Sequence, residues 1–563
     1  MNITRRTLLQ AAAAIAAAPA PAGIRQLLDP GASKADLIVT NAAILTMNER
    51  QPLVRAMAMR AGTVLATGSV EEINALRGPA TTVIDAHGAS VSPGLVDAHS
   101  HLIAFGHMQL FFAVIRPPQV HSFATLATVL QNAARAKPKG EWIVARGFQE
   151  FDEGRWPRRE DLDEIVPDHP LLMIHWGGQF GIANTRALRA ADLLRADVKD
   201  PYGGVFLRDK RTGVPNGVLV HYPAIYAVYR PPLTDAEQTT CARWALEQFA
   251  KEGVTCIHDN FIEPKAARTY VQLERAGALT ARIRVYPYVW NLQHCQEVVR
   301  NMVRYRGPLV RMQGIKLAVD GYALTYNVPE EHKEFAIPMH PQPVFEQIVA
   351  TIHNAGLQVD VHAAGDKGVD WTLTAFEKAA GGVAQARERR HRIEHFMFRK
   401  LDSIKRAGDM NVPVCEQPYA IDFRADDLYR KNKRLTPEQI SGLVPLKSML
   451  NAGVHLAFGA DVPAFPSHRP LDSIRSAMSR VTSQGRQLDP AESLTFMEAF
   501  KAHTNGSAYA AFDEKEVGTL APGACADFVI WNKDLQGIKA AADTLTLAPQ
   551  ATYLAGRAVY RAA

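Results

Sequence analysis

The stretch Pro93-Gly94-Leu95-Val96-Asp97-Ala98-His99-Ser100-His101 closes an apolar run (Thr82-Val83-Ile84, then Val91) with two imidazoles spaced i, i+2. On an extended backbone that spacing turns both side chains to one side, so His99 and His101 can grip one metal ion together. Histidine is the commonest side-chain ligand for zinc and similar metals. Apolar runs closed by polar residues recur downstream. They are Gly253-Val254-Thr255-Cys256-Ile257-His258-Asp259, Gly314-Ile315-Lys316-Leu317, Val359-Asp360-Val361-His362, Arg392-Ile393-Glu394-His395 and Val454-His455-Leu456-Ala457-Phe458-Gly459-Ala460-Asp461.

These strand-like segments alternate with helical ones, which argues a parallel sheet or barrel. In a TIM barrel, functional side chains from distant positions converge at the C-terminal strand ends. Residues 35–92 alternate short apolar strands (Leu37-Ile38-Val39, Ala43-Ile44-Leu45, Thr63-Val64-Leu65) with Gly and Asn turns. The texture returns at Val517-Gly518-Thr519-Leu520, Ala526 to Trp531 and Ala551 to Arg557. The expected organisation is a central barrel over 93–510 between two halves of a small β domain, 35–92 and 511–563. A segment of about 149–230, rich in Pro, Gly and Trp, is expected to lie over the site as a lid.

Thr4-Arg5-Arg6-Thr7 precedes an alanine-rich apolar stretch to about Ala18 and the small residues Ala18-Pro19-Ala20-Pro21-Ala22. That order reads as a cleaved signal over residues 1–22, and the arginine pair points to the twin-arginine route of bacteria, hence a periplasmic or secreted protein. The stretch is too short and too weakly apolar to span a bilayer, so no membrane anchoring is expected after cleavage. At 47% hydrophobic and 21% charged, the 563-residue chain has the composition of a globular protein with a large core. Its formal charge of +6 falls to +4 without Arg5 and Arg6. No basic run carries interleaved aromatics, which argues against a nucleic-acid partner. Five scattered cysteines without a C-x-x-C exclude a disulfide framework and a thiolate zinc site. A small-molecule substrate is the expected partner, and a homo-oligomer is left open.

The ordered set of motifs resembles the amidohydrolase superfamily of metal-dependent hydrolases, in the branch (amidohydrolase family 3) similar to YtcJ-like and N-substituted formamide deformylase proteins. It comprises Pro93 to His101, Gly314-Ile315-Lys316 before Asp320-Gly321, His362 before Gly365-Asp366, Arg392 to His395, Gly459-Ala460-Asp461, and Gly518 to Gly523 before Ala526-Asp527. The resemblance covers nearly everything after the signal. It implies an α/β fold: a (β/α)8 TIM barrel with a small β-sandwich domain built from both chain ends. It also implies two divalent ions, expected to be zinc. His99, His101 and Asp461 would hold the buried ion, His362 and His395 the exposed one, and Lys316 would link them as its carbamate. An unmodified lysine ammonium has no lone pair and cannot ligate. Asp461 would take a proton from water and hand it to the leaving nitrogen.

Departures from the family pattern bear on substrate. Relatives usually carry Asp-Gly-His where this chain has Gly177-Gly178-Gln179, and a Glu where it has His221. Gln179 and His221 are therefore substrate or lid candidates, and Asp320 and His258 are counted with them. His258 is read as a supporting residue behind the site. The leading function is hydrolysis of an amide or related C–N bond. Ester, lactone or phosphotriester hydrolysis uses the same metal pair. A ring deaminase would carry Glu three residues after His362, where this chain has Gly365. A non-catalytic binding protein would lack ligands.

Overall fold

The computed structural model describes residues 34–563 except 150, 229–231, 264–265, 303, 322–323, 327–336 and 432–435. The twin-arginine segment lies outside the described residues. Eight parallel strands carry the centre of the molecule: β1 (Leu95–Ser100), β2 (Val254–Ile262), β3 (Arg282–Pro287), β4 (Gly314–Ala318), β5 (Gln358–Ala363), β6 (Arg392–His395), β7 (Val414–Glu416) and β8 (Leu456–Phe458). They pair in chain order as two arcs. One is β1–β2–β3, extended by Val310–Met312; the other runs from β4 to β8. The arcs meet at a parallel bridge between Tyr288 and Lys316. At the other end, the Asp461 amide, just past β8, donates to the His99 carbonyl at 2.6 Å. The arrangement is barrel-like, with two arcs in place of one closed ladder.

Period-2 alternation divides each strand. Ile257, Ile283, Val285, Ile315, Leu317, Val359, Val361 and Ile393 face the surrounding helices in one apolar core. His258, Arg284, Lys316, Asp360, Arg392 and Glu394 are the alternate residues, all buried. Arg284 pairs with Asp513 near the carboxyl end, and the other five bond one another or residues of other strands across the interior. The helices are placed by local signals. Asp235–Lys251 starts with a Thr234/Glu237 capping box and buries Cys241, Ala245, Leu246 and Phe249. Asp366–Ala380 ends at Gly381 in the left-handed conformation.

The chain ends form two further sheets. One holds Leu37–Thr40, Ala56–Arg60, Thr63–Gly68 and Thr82–Asp85. In the other, Phe528–Trp531 pairs antiparallel with Ser90–Pro93, so the carboxyl end completes a sheet begun at the amino end. Val39, Met57, Val91, Phe528 and Tyr553 share a core between them. Between β1 and β2 lies a mixed six-stranded sheet that begins at Ala113–Val114 and ends at Pro215–Val220. All five cysteines are free thiols, and no helix of the described residues is long and apolar enough to cross a membrane.

Candidate metal centre

His99 is next to last in β1, and His101 is the N-cap of the helix Leu102–Phe111. Their rings lie 5.2 Å apart and nearly perpendicular. Asp461 arrives from the loop after β8 with φ +50. Close approach at this seam requires Gly459, where an added Cβ would collide with the His99 backbone nitrogen. Asp461 Oδ1 is 3.1 Å from His101 Nε2 and 3.6 Å from His99 Nε2. His395 ends β6, with its ring 5.1 Å from that of His99 and 4.3 Å from that of His362. His99, His395 and Asp461 each offer a ligand atom, all within 4.8 Å of one another.

The opposite nitrogens are held by the protein. His99 Nδ1 bonds the Glu394 carboxylate. His101 Nδ1 donates to the Asn260 carbonyl at 2.5 Å, and His395 Nδ1 to Gln417 Oε1 at 2.5 Å. An Nδ1 proton fixed in this way leaves the Nε2 lone pair for a metal, the usual arrangement behind ligating histidines. His362 Nε2 is buried without a hydrogen-bond partner, 3.5 Å from Asp320 Oδ1. Neutral imidazoles are what ligation requires. Burial first, then Lys316, pushes His99 down to about 3. Burial, with His395 and Lys316, holds His362 well below its ordinary value. Burial works to raise the Asp461 carboxyl, but His99, His101 and His395 overturn it and keep the group ionised. An unpartnered buried nitrogen beside three imidazoles and a carboxylate suits zinc or a first-row neighbour.

Lys316 rises into the same interior, 2% exposed, with Nζ 3.2 Å from Asp360 Oδ1. Below it lies a charged layer. Arg392 Nε donates to Glu394 Oε1 at 2.6 Å, its Nη2 to the Ala98 carbonyl at 2.7 Å, and its Nη1 meets His258 Nδ1 at 3.0 Å. Burial raises Glu394, yet Arg392, Lys316 and His99 hold it well below the usual carboxylate range. Asp360 goes the other way: burial, then Glu394, pushes it up to about 7. Asp97 accepts from the Ala460 amide at 2.9 Å and Ser100 Oγ at 2.8 Å, tying β1 to the Asp461 loop.

Of the remaining candidates only Asp320 lies against a proposed ligand, His362. His258 bonds Arg392, which bonds the Glu394 carboxylate behind His99. Asp320 accepts from the amides of Leu324, Ala364 and Gly365 at 2.8–3.1 Å, so it ties the loops after β4 and β5. Gln179 and His221 pair through backbone at 2.6 Å, and the His221 ring lies against Gly321. The helix His221–Ala227, just after the inserted sheet, reaches towards the centre through Tyr222. Burial and the Asp461 charge push its hydroxyl up, and its ring packs 4.7 Å from Phe261, which lies 6.0 Å from His101. Sequence reasoning missed Tyr222, Gln417 and the Asn260 carbonyl, for which no motif speaks. Glu394 carried a signal, since it lies inside the Arg392 to His395 motif and directly precedes a candidate ligand.

The sequence profile of the amidohydrolase family matches residues 82–560. Bacillus subtilis YtcJ, a proposed amidohydrolase by its name, is 27% identical over 87% of this chain and 93% of its own. N-substituted formamide deformylase of Arthrobacter pascens is 23% identical over 89% of this chain and 94% of its own. An uncharacterized metal-dependent hydrolase from Pyrococcus furiosus superposes with a TM-score of 0.66 at 26% identity, covering 89% of this chain and 99% of its own.

Proposed function

Since the chain belongs to the amidohydrolase family, we propose that it is a metal-dependent hydrolase of an amide or related carbon–nitrogen bond. The observation that carries this reading is the convergence of His99, His395 and Asp461, with protein acceptors fixed behind His99, His101 and His395. His99, His101 and Asp461 would hold one divalent ion, His362 and His395 a second, and Lys316 would link them as its carbamate. Zinc is the expected metal. Such ions supply Lewis acidity, lowering the pKa of water and polarising a carbonyl.

The chain's own residues do the rest. Glu394, Asn260 and Gln417 orient the imidazoles. Asp461, ionised at neutral pH, receives the proton of the attacking water on a carboxylate oxygen and returns it to the leaving nitrogen. Phe261, itself packed by Tyr222, lies edge-on against the His101 ring. The name of the Arthrobacter pascens relative, a formamide deformylase, supports a C–N bond as target. On this reading the two arcs are halves of one (β/α)8 barrel over 93–510. The terminal sheets form a β-sandwich, and the inserted sheet is the lid. The Arg5-Arg6 segment would send the folded protein to the periplasm. Arg5→Lys with Arg6→Lys should then leave it cytoplasmic and uncleaved.

The test is elemental analysis with a substrate panel. Purified protein should carry about two divalent ions per chain, and chelation should abolish turnover of N-acyl and N-formyl amides. Activity intact in metal-free protein overturns the reading. Turnover confined to aryl esters or lactones replaces the bond assignment.

A further inference from the structure

The inserted sheet brings a second group of side chains to the loop that carries Asp461. Arg116, Arg146 and Trp176 stand at or just past the C-terminal ends of three neighbouring parallel strands, Ala113–Val114, Ile143–Phe148 and Leu171–His175. Arg116 Nη2 donates to the carbonyl of Pro463, two residues after Asp461. Its path requires Gly147 (φ +119), where an added Cβ would collide with Arg116 Cγ. Arg116 Nε and Nη1 are buried and make no hydrogen bond. Among the described residues no carboxylate pairs with Arg116; the neighbouring charge is Arg146, and together with burial it pushes the Arg116 pKa down to about 9. Arg146 Nη2 contacts the Trp176 carbonyl at 3.4 Å and shares the space beside Gly178 with Tyr222, the residue that feels the Asp461 charge. Trp176 Nε1 is buried and unpartnered as well.

Buried donors on a cation are costly when left unmade, and a second guanidinium alongside adds repulsion. A ligand with two acceptor oxygens and a negative charge relieves both costs, and a guanidinium fork matches a carboxylate in shape. Resting on the reading of the centre as an amide hydrolase, we infer that Arg116, with Arg146 and Trp176 Nε1, receives a carboxylate borne by the substrate. The substrate class is then an N-acyl amino acid or an amide of similar build. Its carboxylate lies at Arg116 while the scissile bond lies at Asp461.

The test compares N-acyl amino acids with their own carboxamides, identical save for the charge, on the protein as purified. The readouts are kcat/KM and tryptophan-fluorescence titration with the matching amino acids and amino acid amides. The acid should be preferred at least about tenfold, the scale of one charge-assisted contact. Arg116→Met should close that gap, and Arg116→Lys should keep part of it. If Arg116→Met does not fold, Trp176→Phe keeps an aromatic ring, removes the unpaired N–H and should narrow the gap. Equal treatment of acid and amide by the parent, or a full preference in Arg116→Met, overturns the inference. Amide turnover without acid preference defeats this site and leaves the hydrolase standing. Acid preference in binding without any turnover does the reverse.

Discussion

Replacing Glu394 by Gln keeps its shape and removes one charge, a change that bears on His99 and Arg392 at once. The Glu394 carboxylate bonds His99 Nδ1 with one oxygen and Arg392 Nε with the other, at 2.6 Å. A glutamine oxygen can still accept from Arg392. Its amide nitrogen then faces the His99 Nδ1 proton, donor against donor. The conflict is relieved when His99 moves its proton to Nε2, the nitrogen that faces Asp461, and there it blocks ligation. Removing a partner behind a ligating histidine costs about 10–100-fold in metal affinity. Stability falls as well, because Arg392 is wholly buried. Breaking a buried pair from one side costs about 3–5 kcal/mol. Asp360 softens the loss. Its carboxyl is held up to about 7 by burial and by the Glu394 charge. Without that charge Asp360 ionises more readily beside Lys316 and Arg392, so the lower end, about 3 kcal/mol, is expected. The assays are a zinc titration against a competing chelator and a denaturant midpoint on chelated protein. Parent affinity together with a parent midpoint in Glu394→Gln would refute the reasoning.

Asp461→Asn keeps an oxygen ligand and removes the base. Turnover should fall at least about 10²-fold in kcat, with metal content measured on the same sample; a variant that holds its metal and works at the parent rate removes Asp461 from proton transfer. Lys316→Ala should lose metal, and bicarbonate with a short carboxylic acid should restore part of it if a carbamate links the ions. Full metal content in the alanine variant strikes Lys316 from the ligands. Asp370 gives a pH test away from the centre. Burial raises its pKa, but bonds from Lys400, Ser403 and Tyr326 outweigh this and hold it below the ordinary value. A lowered folded-state pKa means stability present above the unfolded value, about 3.9, and lost as pH falls through the folded one. Asp370→Asn should therefore flatten the acid limb of the stability curve below about pH 4, and an unchanged limb counts against the pairing.

The periodicities that mark strand and helix were legible because they report burial. The apolar runs that hold His99, Lys316, His362 and His395 fall in β1, β4, β5 and β6, with the three histidines at or next to the C-terminal ends and Lys316 in mid-strand. Five of the six residues read as metal ligands come together by direct contacts. Lys316 joins them by its charge on His99, His362 and His395. What could not be read is which polar residue supports which. His258 and Asp320 carry the same residue types as ligands, yet one bonds Arg392 and the other caps loop amides. That distinction depends on where a side chain ends up across the interior, over separations such as the 295 residues between His99 and Glu394. The interior itself explains why the polar strand residues are so many. A ring of ligands needs fixed acceptors behind it, and those acceptors need buried cations to stay ionised. Arg392 provides that for Glu394. The Arg116 guanidinium has no such counterpart among the described carboxylates. Arg480, also buried, spends its Nη donors on the carbonyls of Leu443 and Val444, whereas Arg116 keeps Nε and Nη1 unmade beside the Asp461 loop, where a substrate carboxylate would meet them.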